Sequence, residues 1–237
     1  MQEPPIVPVR YPVPPARAAR LQRLRGLYAI VDASSPQSPL SLVAAFIEGG
    51  APVIQLRLKN TAAGPFLAIA RAAATLCHEA GTLLLINDRP DIAKLCGADG
   101  VHLGQDDLPV AAARALLGPE ALIGLSTHTD HEVEQGCGSG ADYLGYGPIF
   151  ATVTKSLTDP RGAPLPPPQG LNGLRQVCAR ATLPVVAIGG LTGESAAGVA
   201  EAGAACAAAI GWLTAAGHHP AERARQFAAA FARGVRS

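Results

Sequence analysis

The stretches TLLLIND (82–88) and GVHLGQDD (100–107) share one pattern: an apolar run that turns polar only at its carboxyl end. The pattern recurs along the chain. Short β-rich runs at 27–32, 53–59, 82–88, 100–104, 122–128, 143–150, 184–190 and 205–210 alternate with Ala-rich stretches of helical length, among them 40–49, 65–80, 110–117, 194–202 and 220–233. Pro65, Pro109 and Pro220 stand where a first helical turn tolerates proline, and Gly49, Gly81 and Gly118 where a helix stops. Eight strand–helix units predict a single-domain α/β protein, a (β/α)8 barrel whose parallel sheet is covered by right-handed crossovers. An open doubly wound sheet is the competing architecture. Against it, the first strand ends IVDAS (30–34), without the glycines of a dinucleotide-binding turn.

The 237 residues suit one barrel, and 49% hydrophobic content allows a sizeable core. A formal charge of +1 gives nucleic-acid binding no support. The five cysteines form no C-x-x-C pair, their odd number leaves at least one unpaired within the chain, and free thiols in a reducing compartment are expected. No apolar run approaches membrane-spanning length and no signal pattern opens the chain, so a cytoplasmic protein is expected, with homo-oligomerisation left open. Residues 1–25, rich in proline and arginine, are expected to be an N-terminal extension, mobile or docked on the surface, with the barrel occupying 26–237.

In such a barrel the carboxyl ends of the strands converge on the rim where active sites sit. Gln55, Arg57 and Lys59 alternate with Leu56 and Leu58, so a period of two puts the three polar groups on one face. Two cations there need anionic partners, either inward carboxylates or a phosphorylated ligand. Asp88 and Asp107 follow neighbouring strands; they suit a shared Mg2+ or, alternatively, the caps of the helices that follow, and Asp106 competes with Asp107. Asn87 suits either a ligand contact or a turn. His102, inside an apolar strand, suits a core histidine better than a catalyst. His128 closes the fifth strand as a candidate acid/base or positioning group, with Ser126 two residues earlier on the same face. Gly189 and Gly190 would let backbone approach a ligand after the seventh strand, and Ile210-Gly211 ends the eighth, where barrels often bind phosphate.

The ordered motifs QLRLK (55–59), IND (86–88), GADGVHLGQDD (97–107), GLSTH (124–128), GPIFATVTK (147–155), PQGL (168–171) and AIGG (187–190) together resemble the thiamine phosphate synthase family over about residues 26–232. The resemblance implies a transferase that joins 4-amino-2-methyl-5-hydroxymethylpyrimidine diphosphate to 4-methyl-5-(2-phosphoethyl)thiazole and releases pyrophosphate. By position it implies Asp88 and Asp107 as Mg2+ ligands. Gln55, Leu56, Arg57, Leu58, Lys59, Asn87, Ser126 and Lys155 would contact the pyrimidine diphosphate, with Lys155, Arg57 and Ser126 as the catalytic contacts. Thr152, Val153, Thr154, Gly190, Ile210 and Gly211 would hold the thiazole phosphate. Partners are then small phosphorylated substrates. A thiazole tautomerase, with His128 as acid/base, and a non-catalytic binder of thiamine precursors are the alternatives. The chain departs from the family at Ala151, where proline is frequent, in the proline-rich stretch 156–167, and at Ala205 in place of the usual aspartate of the last strand. The last departure is expected to bear on the phosphate site and to place more weight on backbone N–H groups there.

Overall fold

Period-two burial settles which side of each strand meets which layer. The computed structural model describes residues 12–151 and 167–235. Its strands are β1 (Gly26–Asp32), β2 (Val53–Arg57), β3 (Leu83–Asn87), β4 (Gly100–Leu103), β5 (Leu122–Thr127), β6 (Tyr143–Tyr146), β7 (Val185–Ile188) and β8 (Cys206–Ala209). All pair in parallel with their sequence neighbours, and β1 also pairs with β8, from Gly26 opposite Cys206 to Ala29 opposite Ala209. That last ladder closes the barrel and excludes the open doubly wound sheet.

One set of strand residues, including Leu27, Val31, Ile54, Leu84 and Ile86, packs outward against helical side chains such as Phe46, Phe66 and Phe227. The alternate set, including Tyr28, Ile30, Val53, Leu83, Leu85, Leu122, Tyr143 and Cys206, fills the lumen. Both faces are thus dry, as a parallel sheet requires.

The helices are α1 (Pro15–Arg23), α2 (Pro39–Glu48), α3 (Ala63–Glu79), α4 (Pro90–Cys96), α5 (Val110–Leu117), α6 (Asp130–Gly138), α7 (Gly170–Arg180), α8 (Ala196–Glu201) and α9 (Pro220–Gly234). Gly49 and Gly118 occupy C-cap positions. Of the expected first-turn prolines, Pro220 begins α9, Pro65 lies in the first turn of α3, and Pro109 is instead the residue before α5. The helix α6 begins with a capping box between Thr129 and Glu132, which satisfies two otherwise orphaned N–H groups.

Part of the proline- and arginine-rich segment is built into the barrel. Pro15 opens α1, and Leu21 and Leu24 pack against the lumenal cluster at the amino-terminal end of the strands. Arg17, 2% exposed, pairs with Asp142 at 3.3 Å, and Arg20 with Asp99 at 2.9 Å. Asp99 and Asp142 stand immediately before β4 and just before β6. Each also accepts a backbone N–H from the preceding strand, that of Leu84 at 2.9 Å and of Ile123 at 2.8 Å. Ala205 is the corresponding residue before β8, with its own N–H on the Val185 carbonyl at 2.8 Å. It therefore lies at the end of the barrel opposite the rim. The expected link between this departure and a phosphate site is corrected: a missing carboxylate at 205 removes a strand-end acceptor, not a ligand contact.

Three strands end two or more residues earlier than the sequence pattern suggests, β7 at Ile188 among them. The run 53–59 stops at Arg57 because the chain turns through Asn60, whose φ is 64°, with Thr61 N–H on the Leu58 carbonyl. Lys59 thus leaves the strand before the period of two could place it. The run 143–150 stops at Tyr146, yet Ile149 and Phe150 continue to donate to Ile188 and Gly189 at 2.9 and 3.0 Å. The loop after β6 is thereby held against the loop after β7.

Candidate active site at the carboxyl rim

The β1–β2 register sets Asp32 opposite Arg57. Their side chains form an ion pair. Asp32 also accepts from the Ser34 amide at 3.0 Å and hydroxyl at 2.5 Å. Burial alone would raise its carboxyl, but these bonds and Arg57 hold it below the usual carboxylate range. Arg57 is therefore pre-oriented at the rim by an inward carboxylate. Asp32 was overlooked as a site residue; its signal was the alternation Tyr28, Ile30, Asp32 along the lumenal face of β1.

Lys59 reaches Asp88 at 3.1 Å. Asp88 sits in left-handed backbone with φ 61°, a conformation Asp tolerates better than most residues. Asp107 is fixed by the Gly104 N–H at 2.7 Å. Burial, and then the adjoining carboxyl of Asp88, raise the Asp107 pKa above the ordinary carboxylate value. The helix-capping alternative is not realised: Arg89 precedes α4 and Pro109 precedes α5, and neither helix has a side-chain cap. Asp106 is exposed beside this pair. Two carboxylates pressed together, with a lysine drawn to one of them, are a donor set that fits an oxygen-seeking divalent cation. Among the described residues no group of three or more His, Cys, Asp or Glu forms a metal cluster.

Gln55 and Asn87 are buried and lie on the lumenal side of their strands. Leu56 and Leu58 are buried in the outer cluster, so their side chains face the helices. Both ring nitrogens of His102 are hydrogen-bonded in the lumen. Its Nδ1 lies 3.0 Å from the Tyr143 hydroxyl and its Nε2 2.9 Å from Ser126 Oγ. His128 uses Nδ1 on the Gly147 carbonyl at 2.5 Å, while its backbone N–H meets Glu132. That placement ties it to the β6 loop.

Gly190 has φ 65°, and a Cβ there would stand 2.5 Å from the Ala151 carbonyl oxygen, so only glycine allows the β6 and β7 loops to meet. Ile210 packs on the lumenal cluster and Gly211 is exposed beyond it. Thr152, Val153, Thr154 and Lys155 lie outside the described residues. A surface groove of about 450 Å³, lined by Asp130, Cys137 and Arg180 among others, runs between α6 and α7 and includes none of these rim groups.

Tyr28 and Tyr143 were also overlooked. Both are buried in the lumen, their hydroxyls 3.0 Å apart, and Gln55 Nε2 donates to Tyr28 at 2.9 Å. A tyrosine within a buried strand needs a partner for its hydroxyl, and that was the available signal. Space for the Tyr143 ring comes from Gly124, where a Cβ would lie 2.1 Å from Tyr143 Cζ. Gly124→Ala is expected to cost about 1–3 kcal/mol through overpacking. Thermal denaturation should register this as a fall in Tm of several degrees; an unchanged Tm would mean that the ring has room to move.

The family model described as thiamine monophosphate synthase matches residues 27–213. The thiamine-phosphate synthase of Anaeromyxobacter dehalogenans is 47% identical over 212 residues, covering 90% of each chain. That of Albidiferax ferrireducens is 45% identical over 203 residues, covering 85% of this chain and 89% of the relative. Among solved structures, thiamine phosphate pyrophosphorylase from Pyrococcus furiosus superposes with a TM-score of 0.80 at 30% identity, covering 91% of this chain and all of that one. With the closed barrel and the ordered rim motifs, these matches establish that the chain belongs to the thiamine monophosphate synthase family and is an enzyme of the thiamine-phosphate synthase type.

Proposed function

We propose that this enzyme couples 4-amino-2-methyl-5-hydroxymethylpyrimidine diphosphate to 4-methyl-5-(2-phosphoethyl)thiazole in a Mg2+-dependent reaction at the carboxyl rim. The observation that carries the reading is the adjoining Asp88–Asp107 pair beside Arg57 and Lys59, cation-binding and anion-binding groups on one rim. Asp88 and Asp107 would hold the ion, which would neutralise charge on the diphosphate oxygens.

The C–O bond to the diphosphate breaks with its electron pair on the leaving oxygen. The thiazole nitrogen lone pair then forms the new C–N bond to the pyrimidinylmethyl cation. No protein base is consumed, so the demand on the site is positioning and electrostatic stabilisation. Arg57, oriented by Asp32, and Lys59 bind the diphosphate; Gln55, Asn87 and Ser126 orient the pyrimidine diphosphate, with backbone from Leu56 and Leu58. Lys155 neutralises the departing group. Thr152, Val153, Thr154, Gly190, Ile210 and Gly211 receive the thiazole phosphate, aided by the close approach of the β6 and β7 loops. His102 and His128 position neighbours rather than transfer protons.

No helix among the described residues is long and apolar enough to cross a membrane, and the five cysteines are free thiols. The cytoplasm, with its reducing conditions, suits both facts.

The test is purified protein with both substrates and Mg2+. Thiamine phosphate and pyrophosphate should form together. Their absence, where a known synthase makes them, would overturn the proposal, and conversion of a thiazole tautomer alone would point to an isomerase. Lys155→Ala should slow the bond-breaking step by on the order of 10²–10³-fold in single-turnover kinetics. A change confined to thiazole affinity would remove Lys155 from the leaving-group role.

A further inference from the structure

Five side chains from five strands form one hydrogen-bonded bar across the lumen beneath the rim. Gln55 Nε2 donates to Tyr28 Oη at 2.9 Å; the Tyr28 and Tyr143 hydroxyls are 3.0 Å apart; Tyr143 Oη is 3.0 Å from His102 Nδ1; and His102 Nε2 is 2.9 Å from Ser126 Oγ. Residues Gln55 and Tyr28 come from β2 and β1, Tyr143 from β6, His102 from β4 and Ser126 from β5. Tyr28 is 2% exposed and Tyr143 fully buried, so no bulk water competes for the bar's centre. The His102 ring also stacks on Tyr143, with centroids 5.5 Å apart. The barrel makes room for this contact at Gly145, where a Cβ would stand 2.9 Å from His102 Cε1.

Taking the Gln55 amide as the donor, one proton order runs along the whole bar. Each hydroxyl has one hydrogen to give. With Gln55 donating to Tyr28, Tyr28 gives its hydrogen to Tyr143 and Tyr143 gives its own to His102 Nδ1. The imidazole is then neutral with its hydrogen on Nε2, which it donates to Ser126. The Ser126 hydroxyl hydrogen and the Gln55 carbonyl oxygen are then left for other partners. Each of the four hydrogen bonds in the bar then has one hydrogen supplied to it, as a stable buried polar network requires.

We propose that Tyr143 and Tyr28 are positioning residues: through His102 and Gln55 they set the donor and acceptor pattern that Ser126 and Gln55 present to the pyrimidine substrate. The proposal rests on the synthase reading for its substrate, but the bar itself can be tested without turnover.

Tyr143→Phe removes one oxygen and keeps the ring that fills the lumen. In uniformly 15N-labelled protein, the His102 nitrogens, assigned by comparison with His102→Gln, should show a single Nε2-protonated tautomer. In Tyr143→Phe that signal should become a tautomer mixture or move to the Nδ1-protonated form. An unchanged His102 signal would overturn the relay, whether or not the protein makes thiamine phosphate. In steady-state assays, Tyr143→Phe should lower kcat/KM for the pyrimidine diphosphate by roughly 10-fold and leave KM for the thiazole phosphate unchanged. The same substitution in a Ser126→Ala background should have a clearly smaller effect, because only the Gln55 branch is left to orient. Additive losses in the two backgrounds, or equal changes in both substrates' KM, would reduce Tyr143 to a packing role and overturn the proposal. Tyr28→Phe is the second variant; a loss of similar size is expected with the fold retained by circular dichroism.

Discussion

Asp88→Asn is expected to abolish most Mg2+-dependent turnover while leaving the barrel folded. Asparagine is the informative replacement because Asp88 has φ 61°, a conformation that asparagine shares with aspartate and that alanine adopts less readily. The substitution removes one of two carboxylates that would hold the ion, and the loss in kcat should be on the order of 10²–10³-fold, the size of effect seen when a single electrostatic contact to a transition state is deleted. Half-saturation by Mg2+ should shift to higher concentration. Near-normal turnover at ordinary Mg2+ would refute the metal role of Asp88.

Stability of the metal-free protein should move the other way. The pKa of Asp107 is raised, first by burial and then by Asp88. A raised carboxyl favours the folded state while protonated, and that contribution is lost as pH rises through the folded value. At neutral pH the ionised pair therefore opposes folding. Asp88→Asn removes the charge repulsion within the pair and gives up only a Lys59 pair whose lysine is half exposed, a contact worth little. Thermal melts without metal at neutral pH should show an equal or higher Tm for the variant, with the difference shrinking in acid as Asp107 protonates.

Asp142→Ala is expected to be the most destabilising single change, at the opposite end of the barrel. Asp142 Oδ2 accepts from Arg114 at 2.6 Å and from the Ile123 N–H at 2.8 Å, and Oδ1 lies 3.3 Å from Arg17. Arg17 and Arg114 are only 2% and 5% exposed. Removing the carboxylate takes the Asp142 charge away from two buried guanidinium groups and the acceptor from a strand N–H. Breaking a buried pair in this way costs about 3–5 kcal/mol. For a chain of this size each kcal/mol lowers Tm by roughly 2–4 °C, so a fall of about 10 °C is expected. Arg20→Ala is the control, since Arg20 is 28% exposed and its pair with Asp99 is partly solvated. A Tm loss for Asp142→Ala no larger than for this control would show that α1 and its arginines add little to the barrel. Activity per folded molecule should be nearly unchanged, because Asp142 stands at the far end of the strands from Asp88 and Arg57.

The residues at the rim divide by how far their placement depends on the chain next door. Asp88, Asp107 and Gly190 were legible because each ends or follows an apolar run, and in a parallel barrel every such end faces the same rim. Lys59 was placed on the strand face with Gln55 and Arg57, but the turn at Asn60 carries it off the strand. Ala205 looked like a departure in a ligand site because its motif lies near the last strand; only the strand's direction shows that it belongs to the amino end. The helix α1 was obscured because the prolines before it argue against regular structure, while what holds it is distant: Asp99 and Asp142 lie 79 and 125 positions from Arg20 and Arg17.

The sequence alone determined the alternation of strand and helix, the eight units, the concentration of polar groups at strand ends and, through ordered motifs, the family. All of these are local properties, set by side-chain period and by neighbours within a few positions. The tertiary structure decided which carboxylate orients Arg57, which strands share the Tyr28–Tyr143 bar, and that Asp88 and Asp107 adjoin rather than cap helices. Those outcomes follow from inter-strand register and barrel closure, which juxtapose residues such as Tyr28 and Tyr143, 115 positions apart, and leave no trace in the spacing along the chain.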